Sequence, residues 1–557
     1  MHISNLYKTS IPFEAYSIPN ARVLWCADKY KAEQASMLVR YAYSTSEANL
    51  ERSPGRVPKT FYADSYGGGL AGNGGSARCG HDYGFQAKGI GTTPLLGRDA
   101  DASHSNGKIS TTQAIYELAW ATALEAILPH GTVEHACLIG TSNNMNDEKF
   151  LEDDYQAILI RSIPLRLAHF ERAFRFRANT QQGQLIPRDA ERVRENVVQL
   201  HRFLPRPQEI DEPTWKSLSR ELVVKIGLSE FVRRYAEQLA LTRAHFLMIM
   251  TSPSNVEITG KLLDFTSCES ILYRQGDDKT KFNRRYRELI GEFQPIINCL
   301  DNICHYLGKY AKIQNHLELN AELKKVYRST YIKAYFHFTV LRLGFSRDQI
   351  ATLDEANIGS VRNIALAFDI ASRDVNSIVY SKVGAIPALA HFFLTFSAEA
   401  EIENSVKRSN DCNLVNALAN ALKCLGLGDS TNAKNYKLKT IALNYYNSLF
   451  YSSRFTGDAM LEEIGTVVRN RNKPDGENIE IYLAEKLQLA KAAFASSESA
   501  SPTVLIHGGI TVTADYENLT YSIKSNGVET VVQRLPEVLV AESASLHSET
   551  YNGWFIC

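Results

Sequence analysis

Nine residues near the start of the chain, Gly67 to Gly75, carry six glycines in the run GGGLAGNGG. No helix or strand holds together at that density, because glycine lacks the Cβ that restrains the backbone. The run has to be a loop, and its neighbours narrow its kind. Phe85-Gln86-Ala87-Lys88 follows as a short apolar strand ending in a lone lysine. Thr111 to Leu128 then reads as a helix, with Ile115, Leu118, Ala119, Ala123 and Ile127 three or four residues apart. Glu117 sits on its first turns. Taken singly, each feature has a plain reading. The glycines fit a flexible surface loop, and Lys88 and Glu117 fit solvated side chains.

Order and spacing change that reading. Far downstream, Asn255 to Phe265 reads as a short hairpin about Thr259-Gly260, with Asp264 inside Leu262-Leu263-Asp264-Phe265. Across such a hairpin Asn255 and Asp264 both reach one cation. Mg²⁺ favours one or two protein oxygens, with phosphate and water completing its shell. A glycine loop lets backbone N–H groups approach phosphate oxygens. A strand lysine held by a helical glutamate is the other part of a kinase-type ATP site. The catalytic aspartate of a kinase loop is missing. Arg161, Arg166, Arg172, Arg175 and Arg177 offer either a phosphate clamp or the wet face of an amphipathic strand. His104, His169 and His245 do not cluster with cysteine or carboxylate and read as structural.

Bulk properties exclude several classes. With 557 residues the chain has room for roughly three or four domain-sized units. Lys plus Arg equals Asp plus Glu, 61 each, so no global field draws it to nucleic acid or an anionic membrane. The N-terminal residues lack a basic segment followed by an apolar one, so no secretory signal is expected. The apolar stretch Ile386 to Phe396 is far short of the roughly 20 residues that cross a bilayer. Nine cysteines without a CxxC read as buried small side chains, with Cys557 the exception as a terminal, reactive candidate. A cytoplasmic location is the expectation.

Strand signals run through Arg22 to Trp25 and from residue 156. Helix is expected from Lys31 to Tyr43, from about 187 to 250 and from about 280 to 495. The last 55 or so residues turn to strand, with Thr503 to Thr513 alternating and Asn526-Gly527 marking a hairpin.

Five segments, in order, resemble the selenoprotein O (SelO) family of pseudokinase-fold proteins. LAGNGGSAR, residues 70–78, resembles the family's SWAGQLGDGRA, keeping Ala71, Gly72, Gly75 and Arg78. AKGIGTTP, residues 87–94, resembles LKGxGxTPYSR and includes Lys88 and Gly89. Residues 106–119 align without a gap on DGRAVLRSSIREFL, bringing in Lys108 and Glu117. Leu159-Ile160-Arg161 and Leu165 to Glu171 are similar to LIRVA and LRFGSFE. Ser254 to Thr266 is similar to DNMSLLGLTIDYG. The resemblance spans about residues 10 to 310.

What it implies is an α+β, two-lobed protein-kinase-like fold that binds ATP in reversed orientation and transfers AMP. The lobes would be residues 1–155 and 156–310, followed by a helical region, 311–495, and a β-rich end, 496–557. Lys88, Arg161 and Arg166 would hold phosphates, Glu117 would position Lys88, and Asn255 and Asp264 would bind Mg²⁺. Gly72, Gly75, Arg78, Gly89 and Lys108 would line the ATP site. The departures are specific. Ser254 replaces the family's acidic residue before the metal asparagine, its presumed general base. Asn106 and Thr112 replace an Asp and an Arg. A carboxylate acceptor, already ionised at neutral pH, needs no such base. The expected reaction is therefore AMP transfer to a protein or peptide acceptor, including a peptide C-terminal carboxylate as in siderophore-microcin maturation, where an acyltransferase-like subunit would be a partner. An inactive ATP-binding scaffold and a phosphotransferase are the alternatives.

Overall fold

Short alternating segments make the first third of the chain a sheet. Its strands are β1 (Ser10–Ser17), β2 (Arg22–Cys26), β3 (Tyr43–Ser44), β4 (Pro58–Asp64), β5 (Cys79–His81), β6 (Gln86–Lys88), β7 (Ile109–Ser110), β8 (His135–Asn144) and β9 (Tyr155–Arg161). They pair antiparallel in the order β2-β8-β9-β6-β5-β4-β1-β3, with β7 joined to β9. Helix α1 (Gln34–Tyr41) covers one part, closing a core of Met37, Tyr41, Phe61, Ile139 and Ile160. Helix α2 (Thr111–Ile127) starts at a capping box, in which the Ser110 hydroxyl accepts from the Gln113 N–H and the Gln113 side chain accepts from Ser110.

These are coordinates of a computed structural model, which describes residues 3–45, 56–68, 72–100, 106–144, 154–178, 186, 188–271, 279–356, 359–373, 378–381, 384–387, 409–427, 434, 436–438, 440, 441, 452, 454–469, 477–494, 503–507, 510–515, 518, 520–525 and 527–532. Leu70, Ala71, His104, residues 388–396, Asn526 and Cys557 lie outside them.

The remainder is mostly helical. It comprises α3 (Asp189–Gln199), α4 (Glu212–Ser217), α5 (Arg220–Ala244), α6 (Lys279–Gly291), α7 (Gln294–Tyr306), α8 (His316–Arg342), α9 (Arg347–Glu355), α10 (Ser360–Arg373), α11 (Ser409–Cys424), α12 (Gly457–Arg469) and α13 (Glu477–Phe494). Two small antiparallel pairs interrupt it, Leu247–Met248 with Glu269–Ser270, and the hairpin Ile378–Ser381 with Gly384–Pro387. Four strands, Thr503–His507, Ile510–Asp515, Thr520–Ser525 and Val528–Val532, form a separate antiparallel sheet. No helix among the described residues is long and apolar enough to cross a membrane.

The α+β class holds. Some boundaries do not. β9 lies inside the first sheet, so a break at residue 155 falls one strand early. α8 packs along α5, so the core continues past residue 310. The run expected as nearly all helix carries the hairpin of residues 378–387. Thr503 to Thr513 folds back on itself as two paired strands. The Arg172–Arg177 run is not a strand. Arg172 pairs with Asp189 at 2.5 Å and Arg177 lies 3.8 Å from Asp99. Cys26, Cys79, Cys137, Cys268, Cys299 and Cys304 are buried, and Cys424 is exposed.

One apolar core runs from Ile3 and Leu6 through α2, α5, α7 and α8 to Phe494. In it α12 and α13 lie against α2, and the Trp120 ring sits 5.1 Å from Phe455, which in turn sits 5.1 Å from Phe494.

Candidate active site

Strand pairing sets the first two cations. In β6, Lys88 lies opposite Leu159 of β9, and Gln86 lies opposite Arg161. Residues two apart share a face of a strand, so Gln86 and Lys88 point the same way. Lys88 Nζ lies 2.5 Å from Glu117 Oε2 and 2.5 Å from Asp264 Oδ1. Arg161 closes β9. Its Nη1 lies 2.8 Å from Asp264 Oδ1 and 3.3 Å from Glu117 Oε1, while Nε and Nη2 donate to Gln86 Oε1 at 3.0 and 2.9 Å. Arg166 follows the four-residue link out of the sheet, Ser162 to Leu165. Its Nη1 lies 2.9 Å from Asp264 Oδ2 and also donates to the Ser254 carbonyl. The Arg166 guanidinium rests over the Tyr66 ring, 5.1 Å from its centre.

The structure thus brings Lys88, Glu117, Arg161, Arg166 and Asp264 into one buried cluster. Three cations face two carboxylates. Burial alone would raise the Glu117 carboxyl, but Lys88, His135 and Arg161 outweigh it and hold it down at about 2. Burial acts the same way on Asp264, and Arg161, Lys88 and Arg166 hold it well below the usual carboxylate range. His135, with Nε2 3.7 Å from Glu117, is pushed down by burial, and burial takes His169 to about 3. Both imidazoles are neutral at neutral pH, so the excess positive charge belongs to the lysine and the arginines.

The hairpin that carries Asp264 is as expected. Val256 bridges Leu262, Gly260 turns the chain at φ 94°, and the Leu263 N–H donates to the Asn255 carbonyl at 3.1 Å. Asp264 itself sits in the left-handed region, φ 64°, which aims its carboxylate at the cations. Asn255 is adjacent, but its Oδ1 accepts from the Ser254 hydroxyl at 3.3 Å, and no hydrogen bond joins it to Asp264 among the described residues. No group of three or more His, Cys, Asp or Glu able to hold a metal occurs among the described residues. Asn255 and Asp264 do not by themselves make a protein-only metal centre, and the Asp264 oxygens face Lys88, Arg161 and Arg166.

The other expected site residues divide. An antiparallel bridge joins Ser65 to Gly75 between β4 and β5, and the Gly67 N–H donates to the Ala168 carbonyl at 3.0 Å. Gly75 (φ 147°) is glycine because a Cβ would lie 2.0 Å from the Asp64 carbonyl oxygen, whereas at Gly72 (φ 74°) the nearest atom would be 3.7 Å away. Gly89 answers to packing too, with the Ala157 carbonyl 2.6 Å from where its Cβ would be. Arg78 and Lys108 are half-buried and make no ion pair with the cluster among the described residues.

Residues not singled out in the sequence also serve the cluster. Gln86 orients Arg161 and donates to Asp64 Oδ2 at 3.1 Å, and Asp64 Oδ1 meets His81 Nε2 at 2.7 Å. Gln86 was legible, since it lies two residues from Lys88 on one strand face. Tyr66, His135 and the Asp64–His81 pair carry no local mark. Against known proteins, no family model matches the chain and no curated protein matches it.

Proposed function

We propose that this chain transfers the adenylyl group of Mg·ATP to a protein or peptide acceptor, on a two-lobed kinase-like scaffold of the selenoprotein O type. The observation that carries the reading is the convergence of Lys88, Glu117, Asp264, Arg161 and Arg166, spread over 177 positions from Lys88 to Asp264, on one buried point. The order glycine loop, strand lysine, helical glutamate and late aspartate is that of kinase-type ATP sites.

In this reading an acceptor oxygen forms a bond to the α-phosphorus. The bond from that phosphorus to the bridging oxygen breaks, and pyrophosphate leaves with the electron pair. Lys88, Arg161 and Arg166 stabilise the charge that gathers on the departing oxygens. Glu117 keeps Lys88 extended toward them. Mg²⁺, held by Asp264 and Asn255, would neutralise phosphate charge when bound. The residue before Asn255 is Ser254, whose hydroxyl is engaged with Ser252 at 2.8 Å, so no carboxylate stands there to take a proton. That favours an acceptor that is already an anion, such as the C-terminal carboxylate of a peptide. The product would be an acyl-adenylate ready for conjugation.

The test is incubation of the purified chain with Mg²⁺ and ATP labelled separately at the α and γ positions, with candidate peptides and an Asp264→Ala control. Retained α-label or carboxylate-dependent pyrophosphate release supports the reading. Retained γ-label means phosphotransfer. ATP binding without turnover under all acceptor conditions favours a scaffold.

A further inference from the structure

Both oxygens of Asp264 are taken by cations, Oδ1 by Lys88 and Arg161 and Oδ2 by Arg166. The carboxylate expected to receive a metal is locked in a cluster that already has positive charge in excess. A divalent cation arriving alone would add two more positive charges at the same buried point, where repulsion is poorly screened. An anion meets the opposite situation. Arg166 is 1% exposed, and its Nε has no hydrogen-bond partner among the described residues. Buried donors of a guanidinium are normally all paired. His135 and His169, the neighbouring imidazoles, are also short of partners on ring nitrogens and bring no negative charge. A chain of phosphate oxygens supplies acceptors for Lys88, Arg161 and the idle edge of Arg166 together.

We propose that Lys88, Arg161 and Arg166 form a polyphosphate site that fills without metal, and that its occupation releases Asp264 to take the divalent cation second. The ligand class is inorganic pyrophosphate or the triphosphate tail of a nucleotide. The inference rests on the nucleotide reading above and adds an order of binding to it. Because linkage is reciprocal, the factor by which the anion tightens the cation equals the factor by which the cation tightens the anion.

The experiment uses the full chain and two probes. Inorganic pyrophosphate is titrated calorimetrically in the presence of a chelator. Protein-bound Mn²⁺ is followed by electron paramagnetic resonance with and without saturating pyrophosphate. Pyrophosphate is expected to bind in the chelator, and to tighten Mn²⁺ by about tenfold or more. Asp264→Asn is expected to bind metal-free pyrophosphate at least as tightly as the parent chain, and to lose the Mn²⁺ gain. Arg166→Gln, which leaves the cluster's charges balanced, is a second variant. It is expected to weaken pyrophosphate and to let Mn²⁺ bind alone more tightly than in the parent. Equal Mn²⁺ affinity with and without pyrophosphate overturns the proposal. So does an Asp264→Asn variant that folds but binds metal-free pyrophosphate more weakly. ATP binding that always requires Mg²⁺ overturns this order and leaves the nucleotide reading standing. No binding of ATP or pyrophosphate under any condition overturns both.

Discussion

Gly72 and Gly75 are three residues apart in one run and have different reasons to be glycine. A methyl group on Gly75 collides with the Asp64 carbonyl, whereas one on Gly72 makes ordinary contact with the Asp99 carbonyl at 3.7 Å and meets only an unfavourable φ. Gly75→Ala is expected to cost about 3 kcal/mol or more. Gly72→Ala is expected to cost about 1 kcal/mol, with denaturant midpoints as the measure. Nothing in the string GGGLAGNGG separates the two, because the colliding atom belongs to a neighbouring strand. Glu292 was equally invisible. Its Oε1 accepts from the N–H groups of Ile249 and Met250, more than 40 residues earlier, and so anchors the segment leading to Ser254 and Asn255. Burial lifts its carboxyl to about 8, against those two hydrogen bonds. An unfolded Glu titrates near about 4.3. Below that pH both states hold the proton and the group is neutral in its effect. As pH rises the unfolded chain gives up the proton first, so stability falls until the folded group titrates. Glu292→Gln keeps the acceptor oxygen and removes the titration. Its melting temperature should match the parent at about pH 3, below the unfolded value, and exceed it at about pH 9.

Periodicity located helix α2 but misjudged its surroundings. Residues from Ala114 to Ala121 are all buried, Glu117 among them, so the helix has no wet face over two turns. A helix flanked by apolar neighbours on every side is read as amphipathic only while its far cover, here α12 and α13, is unknown. Trp120 packs on Phe455, which precedes α12 and in turn packs on Phe494 of α13. Trp120→Ala should cost about 3–5 kcal/mol and speed amide hydrogen exchange through residues 111–127 more than in the sheet. Equal protection of α2 in the variant would show that the cover does not restrain it. The final sheet gives a simpler lesson. His507-Gly508-Gly509-Ile510 carries a two-residue hairpin signal, and attention to β-branched alternation alone ran two strands into one.

Length suggested several separable units, yet the largest core draws on residues from Ile3 to Phe494. Which helix faces meet across hundreds of residues is not a local property, and the sequence gives no period for it. The N-terminal cluster was legible because its residue types and order are tied to chemistry. The packing that holds it was not, because any apolar face can satisfy another. A chain ending at residue 310 would leave α2 and α5 without α13 and α8. It is expected to bind a hydrophobic dye and to lack a cooperative melt, whereas the full chain should lose the α2 and α5 signals in one transition. The same contact sets a schedule. On the ribosome, the interval between Glu117 and Glu477 lasts roughly 20–70 s at the usual rate of roughly 5–20 residues per second. For that time the nascent chain carries α2 without its cover. Helices translated hundreds of residues later thus complete the cover of α2, and the buried cluster matures only once they have emerged.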